Sequence, residues 1–342
     1  MITLTAEHIL LIPKDHPEKL FTYDNYVKES RLLLKIWHPD HSIHPQSHAV
    51  TIHVLELIKS AKYKISNNTW TNNAILEFRA NDTTYRLHYK KHHKFELGDM
   101  YISDTKIIYV VDIKYKKLFY NAVNNLGHVK YADDHMKLQF QPCIPKSSTV
   151  YTTDNNLILL INKTRDMLLL QDVIDHFNGK LDVKHTAWVV SRLYNISAFL
   201  EYNKLVHNAI SPMTVFISPV CHTVCLYGGW WYSRKNDEKL LGVPGNLINM
   251  FPKDVISKKL ADSKVDRLLL KGTAIAALGD ETMVGSKLLT SKNIPAGLIN
   301  WLRQPSTTKA STEYKDWSSI LVKYLGPRTF TKLDLSVDDI YK

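Results

Sequence analysis

His38, Pro39 and Asp40 carry more chemistry per position than any other three consecutive residues of this chain. They set an imidazole and a carboxylate on either side of a proline, which ends any helix that precedes it. Held beside a cationic helix face, such a pair is suited to docking a partner. Other reactive residues form weaker sets. Cys221, His222 and Cys225 invite a zinc reading, yet a four-residue spacing without a second Cys/His pair is a poor tetrahedral ligand set. In VCHTVCLYGG the two cysteines read as members of an apolar strand, and with Cys143 they make no disulfide framework. His88, His92 and His93 lie among lysines and read as a solvated face. The carboxylate pairs Glu313/Asp316 and Asp133/Asp134 read as solvated surface or helix caps, and Asp254 as a cap. No serine or cysteine sits in a nucleophile elbow, and there is neither a long phosphate-binding loop nor a His-Glu metalloprotease helix.

The 342 residues, 44% apolar and 23% charged, describe a globular chain long enough for two or three domains. A formal charge of +11 favours acidic partners. The basic runs YKKHHK at 89–94 and KYKK at 114–117 hold aromatic residues but match no nucleic-acid module, so only nonspecific nucleic-acid contact is expected. No apolar run has the length of a membrane span, and residues 1–20 lack the basic start and apolar middle of a secretion signal. Cytoplasmic residence and no membrane partner are the expectation.

Asp24 is a candidate cap for a helix running to Trp37. Its apolar positions are Tyr26, Val27, Leu33, Leu34 and Trp37, while Lys28, Arg31 and Lys35, three and four apart, share another side. A second helix is expected from about Pro45 or Gln46 to Ile65, with Ala49, Ile52, His53, Leu55, Ile58 and Ala61 as its buried stripe and Leu10, Leu11, Leu20 and Phe21 closing the core. From Trp70 to Phe140 the segments NNAILEF, TTYRLHY, FELGDMYIS and KIIYVVDIKY read as an antiparallel sheet, followed by a helix through LFYNAVNNLGHV. NLILLI reads as a buried strand. From about Leu168 the chain turns helical, including a long segment from Asp182 to Tyr202 whose Trp188, Leu193, Ile196 and Leu200 face a core.

The basic helix ending in His38-Pro39-Asp40, the polar loop, and the following helix with Ala61-Lys62-Tyr63 resemble the J domain of DnaJ-type Hsp70 co-chaperones. The resemblance covers about residues 5–66. It implies that His38, Pro39 and Asp40, with Lys28, Arg31 and Lys35, contact an Hsp70 and stimulate its ATPase cycle. No glycine/phenylalanine-rich linker or cysteine repeat accompanies it, so the module is an accessory.

Over about residues 90–335 the order of elements resembles a protein kinase fold. KIIYVVDI stands where the third strand would be, NLILLI at the hinge strand, and YNKLVHNAISPMTVFIS at the catalytic loop. VCLYGGWWYS stands at the metal-binding motif, FPKDV at the end of the activation region, and Asp266 opens the helix after it. The resemblance implies degenerate chemistry, since phosphoryl transfer needs a catalytic acid, metal ligands and a phosphate-binding lysine. His207-Asn208-Ala209 puts Ala209 at the catalytic aspartate, Thr214 at the metal-binding asparagine, and Gly228 or Gly229 at the metal-binding aspartate. Asp112 takes the lysine position, with Lys114 two residues on as a substitute on the same sheet face, and Gly98 beside Asp99 is the one glycine of the nucleotide-covering loop. His207 and Asp266 keep scaffolding roles. Trp230 and Trp231 read as core, and Gly242, Gly245 and Gly279 as turns.

The expected chain is therefore multidomain: a small all-α J-like helical hairpin domain (1–68) followed by a bilobal α+β protein-kinase-like fold. The latter has a β-rich lobe with linker (69–165) and a mainly helical lobe (166–342). The pairing of these parts resembles a group of proteins in bacteria and large bacteriophages. It implies a non-catalytic adaptor that brings an Hsp70, the host's if the chain is viral, to a protein client, with no cofactor and no metal. A structural scaffold without Hsp70 activity, and a residual nucleotide-binding enzyme using Lys114 with Asp99 or Asp112, are the alternatives.

Overall fold

The computed structural model describes residues 5–23, 25–67, 70, 74–126, 129–145, 149–327 and 329–341. The cap reading of Asp24 lies outside them. The chain is mixed α+β and divides into two compact units, one of residues 1–110, 150–159 and 341–342, the other of 111–149 and 160–340. The expected boundary after residue 68 falls inside the first unit.

The first unit opens with α1 (Ala6–Leu10), α2 (Tyr26–Trp37) and α3 (Ser47–Ser66). Their core is Ile9, Leu20, Phe21, Trp37, Val50, Val54, Leu57, Ala61 and Trp70. Two tethers make α2 and α3 antiparallel. The Thr51 hydroxyl near the start of α3 donates to the Trp37 carbonyl that ends α2 at 2.8 Å, while Tyr26 at the start of α2 meets Trp70 beyond the end of α3. Five positions expected on the buried side are exposed. The buried stripe of α3 is Val50, His53, Val54, Leu57 and Ala61, one step round from the expected one, leaving Ala49, Ile52 and Leu55 exposed. His53, common to both stripes, bonds the Ile12 carbonyl at 2.8 Å. Val27 and Leu11 are exposed, while Ser30, whose hydroxyl donates to the Val27 carbonyl, and Ile9 are buried.

Two sheets follow. β1 (Ala74–Ala80) and β2 (Thr83–Tyr89) form an antiparallel hairpin whose turn residues Asn81 and Asp82 have φ of 49° and 58°, the geometry of a tight two-residue turn. β3 (Lys91–Phe95), β4 (Gly98–Ile102), β5 (Lys106–Asp112), β6 (Thr149–Thr152) and β7 (Asn156–Asn162) make a five-stranded sheet in the order β3-β4-β5-β7-β6. The segments expected as one sheet are thus two. β5 and β7 are buried along most of their length, which is why they read as continuous apolar runs.

The second unit holds α4 (Lys116–Leu126), α5 (Asp134–Phe140), α6 (Leu170–His176) and α7 (Val183–Tyr202). Beyond them come α8 (Lys253–Lys258), α9 (Lys264–Ala277), α10 (Ala296–Leu302), α11 (Ala310–Leu325) and α12 (Val337–Ile340). Its strands are short: β8 (Leu168–Leu169), β10 (Val215–Ser218) and β11 (Thr223–Leu226) form one sheet, and β9 (Leu205–Val206) with β12 (Arg234–Lys235) another. Leu168 and Leu169 are therefore strand rather than helix, pairing with Ile217 and Phe216. α9 is buried on nearly every side, Asp266, Arg267 and Lys271 included. Among the described residues no helix is long and apolar enough to cross a membrane.

Further corrections concern single residues. Lys114 does not continue β5; it lies in the 3-10 turn 113–115 and pairs with Asp112 at 3.0 Å. Cys225 is buried in β11, whereas Cys221 is exposed in the turn before it, and all three cysteines are free. Trp188 is only half-buried and stacks on His222. Asp254 is inside the first turn of α8, paired with Lys264 at 2.6 Å, rather than its cap. Glu313 is 5% exposed, held in a cluster of buried polar groups. Asp133 caps α5, accepting the Met136 N–H at 2.7 Å.

Candidate functional site

The turn after α2 is built by its own residues. Pro39 disfavours helix for the residue before it, and His38 is extended at φ −59°, ψ 134°. The His38 carbonyl then accepts the N–H groups of His41 and Ser42, each at 2.9 Å, which curls the turn on itself. Asp40 donates its backbone N–H to His38 Nδ1 at 3.2 Å. That contact makes Nδ1 the acceptor, so the neutral ring carries its proton on Nε2. The Asp40 carboxylate lies 3.5 Å from the same nitrogen. Both side chains reach water, His38 at 47% and Asp40 at 78% exposure, and Pro39 is exposed with them.

Trp37 anchors this turn from below, 7% exposed and edge-on to His44 at 5.2 Å. Lys28, Arg31 and Lys35 are all exposed along one side of α2, with the imidazole and carboxylate at its C-terminal end. Glu29, the acid of the first turn, is occupied: its carboxylate accepts the Thr22 N–H and hydroxyl at 2.7 and 2.9 Å. The arrangement offers an outward proton donor, a solvated carboxylate and a row of cations on a rigid stem. It can dock a polar, acid-rich surface.

The second candidate region joins the residues 207–214, 228–233 and 266. Asp266, 2% exposed, accepts the backbone N–H of His207 and of Asn208, each at 2.7 Å, one on each carboxylate oxygen. The His207 ring bonds the Gly228 carbonyl at 3.0 Å and meets Trp230 edge-on at 5.0 Å. Asn208, at φ 62°, sends its amide to the Tyr232 carbonyl at 3.0 Å. Burial pushes the Asp266 carboxyl up to about 7 and the His207 imidazole down to about 4, so His207 is neutral at ordinary pH.

The remaining members of this region are spent on structure. Ala209 supplies no acid, and its carbonyl accepts the Thr214 hydroxyl at 2.7 Å. The same hydroxyl accepts the Ser211 N–H at 2.9 Å, so Thr214 closes its own loop. Gly228 and Gly229 bring no carboxylate, and Trp230, 1% exposed, fills the space beyond them with its indole N–H on the Leu226 carbonyl at 2.7 Å. Asp112 and Lys114 neutralise each other in solvent, each holding the other in its charged form. Gly98 lies in β4 opposite Phe95, and Asp99 beside it bonds His92 at 2.7 Å.

One feature the sequence did not disclose is a cavity of about 670 Å³ lined by three methionines, Met213, Met250 and Met283, with Leu247, Asp175 and Glu281. The terminal methyls of Met250 and Met283 lie where a Cβ on Gly272 of α9 would be, at 2.9 and 2.8 Å. Three of the chain's seven methionines come from three distant segments, and only the fold brings them together. Among the described residues no group of three His, Cys, Asp or Glu is placed to hold a metal ion.

Neither any family of known proteins nor any curated protein matches this chain by sequence comparison.

Proposed function

We propose that the chain is a non-catalytic adaptor whose N-terminal J-like hairpin engages an Hsp70-type chaperone and whose degenerate kinase-like body holds a protein client. The observation that carries this reading is the exposed imidazole and carboxylate of His38 and Asp40 at the end of a stem bearing Lys28, Arg31 and Lys35. The buried work of holding this turn is done by Trp37 and Thr51, which leaves the His38 and Asp40 side chains open to a partner.

The kinase-like part of the proposal draws support from Asp266, which holds the backbone of the loop 207–208 while the positions for acid and metal ligands carry Ala209, Thr214 and Gly228 or Gly229. Without carboxylates there, the phosphates of Mg-ATP would lack their usual counterweights. The methionine-lined cavity is the natural seat for a client segment, since methionines reshape around varied apolar side chains. Tethering chaperone and client on one chain raises their effective concentration for each other.

The test is steady-state ATP hydrolysis by a purified Hsp70 with and without the intact protein. Stimulation is expected, and His38→Gln, at an exposed position, is expected to abolish it with the melting temperature unchanged. No stimulation, or stimulation indifferent to that substitution, overturns the reading. Mg-ATP at millimolar concentration is expected to leave the melting temperature of the protein alone unmoved, since a bound ligand would raise it.

A further inference from the structure

α7 turns one stripe of side chains, spaced three and four apart, toward a cavity of about 290 Å³ that it shares with α11. The apolar walls are Ala187 and Trp188 on α7 and Leu321 and Leu325 on α11; Lys184 and Arg192 are cations of the lining, which among the described residues contains no aspartate or glutamate.

The void has a local cause. Elsewhere along the same helix pair Trp317 fills the interface, 1% exposed, with its indole N–H on the Ser191 hydroxyl at 2.9 Å. One turn before Ser191 stands Ala187, too small to meet Leu321 across the gap. The space opens to solvent past Lys184, Arg192 and Pro327, all exposed, and its volume is near the lower end of ligand-pocket sizes. It has room for on the order of ten non-hydrogen atoms.

Its chemistry is one-sided. Trp188 stacks on His222 at 4.8 Å, and His222 stacks on Phe330 at 4.3 Å, giving one wall a rigid aromatic backing. Burial, with the charges of His185 and Arg192, holds the His222 imidazole below its ordinary value, so the backing is uncharged at neutral pH. The Arg192 Nε–H donates to the His222 carbonyl at 3.1 Å, which pins the guanidinium at the cavity rather than leaving it free to swing. Flat apolar walls and two cations without a carboxylate define the complement.

We infer that this cavity binds a small planar carboxylate, its aromatic body between Trp188 and Leu321 and its anionic end against Arg192. The site lies apart from the client cavity, and the inference does not rest on the adaptor reading.

The experiment titrates the intact protein with 2-naphthoate, its neutral isostere 2-naphthamide and the cation 2-naphthylmethylamine, by calorimetry. The carboxylate is expected to bind at least about tenfold tighter than the amide, with the amine weakest, and with affinity falling as salt is raised. Arg192→Gln, at an exposed side chain, is expected to bring the carboxylate down to the affinity of the amide. Ala187→Phe, which fills the void, is expected to remove binding of both while the melting temperature stays the same or rises. Equal affinity of the three probes, no binding at millimolar concentration, or binding untouched by Arg192→Gln overturns the inference. Arg192→Gln leaves Ala187, Trp188 and Leu321 in place and removes one exposed hydrogen bond, so its result stands even where Ala187→Phe fails to fold.

Discussion

The Asp266 carboxylate accepts the His207 backbone N–H at 2.7 Å across 59 residues of chain, and its second oxygen takes the N–H of Asn208 at the same distance. One buried acid thus fixes two successive peptide units, and with them the His207 ring and the loop it leads.

Asp266 and His207 make stability depend on pH in opposite directions. The Asp266 carboxyl sits at about 7 in the folded chain against 3.8 unfolded, so between those values the folded state keeps a proton the unfolded state has lost. Its contribution is complete below the unfolded value and declines as pH rises through about 7. His207, at about 4 folded against 6.5 unfolded, contributes stability above 6.5 that is lost as pH falls toward 4. Above pH 6.5 only the Asp266 slope remains. Asp266→Asn removes it, and the asparagine amide then turns a donor toward one of the two N–H groups. The variant is expected to be less stable, and the gap from the wild type is expected to shrink by about 2–3 kcal/mol between pH 5 and pH 8. Urea unfolding at the two pH values measures this; a constant gap would show that Asp266 is ionised throughout.

Gly229 is required by both its backbone and its surroundings. Its φ is 82°, and a Cβ there would stand 2.7 Å from His207 Cε1 and 2.8 Å from Ala209 Cβ, neither on a side chain able to retreat. Gly229→Ala is expected to cost about 2–5 kcal/mol, the sum of left-handed backbone and overpacking. Gly179, at φ 86° with nothing within 4 Å of its Cβ position, provides the control. Gly179→Ala is expected to cost only about 1–2 kcal/mol. Equal losses in urea unfolding would mean the crowding at Gly229 is relieved by movement.

What could be read in the sequence follows from the range of the interactions. The pair α2–α3 was legible because its signals are local: periodic apolar residues, a proline stop and cations three and four apart. The phase of α3 was not, since Ile52 and Leu55 are as apolar as Val54 and Leu57, and which pair faces inward is set by the packing of the core around Ile9, Phe21 and Trp37. β5 and β7 announced themselves as apolar runs, but no pattern in them says that β6 pairs at the edge and that β1 and β2 stand apart. The same holds for the methionine cavity, whose lining comes from segments tens of residues apart. Glu313 was misread as surface because Asp316, three residues on, suggests a solvated face; its partners are distant in sequence and invisible from it.

Glu313 sets up the last prediction. A single oxygen, Oε2, accepts from the Lys271 ammonium, the Tyr194 hydroxyl and the Ser306 hydroxyl, each at 3.1 Å. Lys271 also lies over the Trp301 ring at 4.6 Å, and burial holds its pKa below the ordinary lysine value. Arg267, 3.7 Å away from the other oxygen, is bound mainly by Glu201, whose carboxylate in turn takes the first N–H of α11. Removing the acid alone strands a buried ammonium, so Glu313→Leu is expected to cost about 3–5 kcal/mol. Adding Lys271→Met removes the stranded charge and keeps an unbranched chain over Trp301. The double variant is therefore expected to be more stable than Glu313→Leu alone, with a coupling of about 1–3 kcal/mol in the double-mutant cycle. If the second substitution instead adds its own loss, Lys271 is held by the Gln304 carbonyl at 3.3 Å and by Trp301 rather than by the acid.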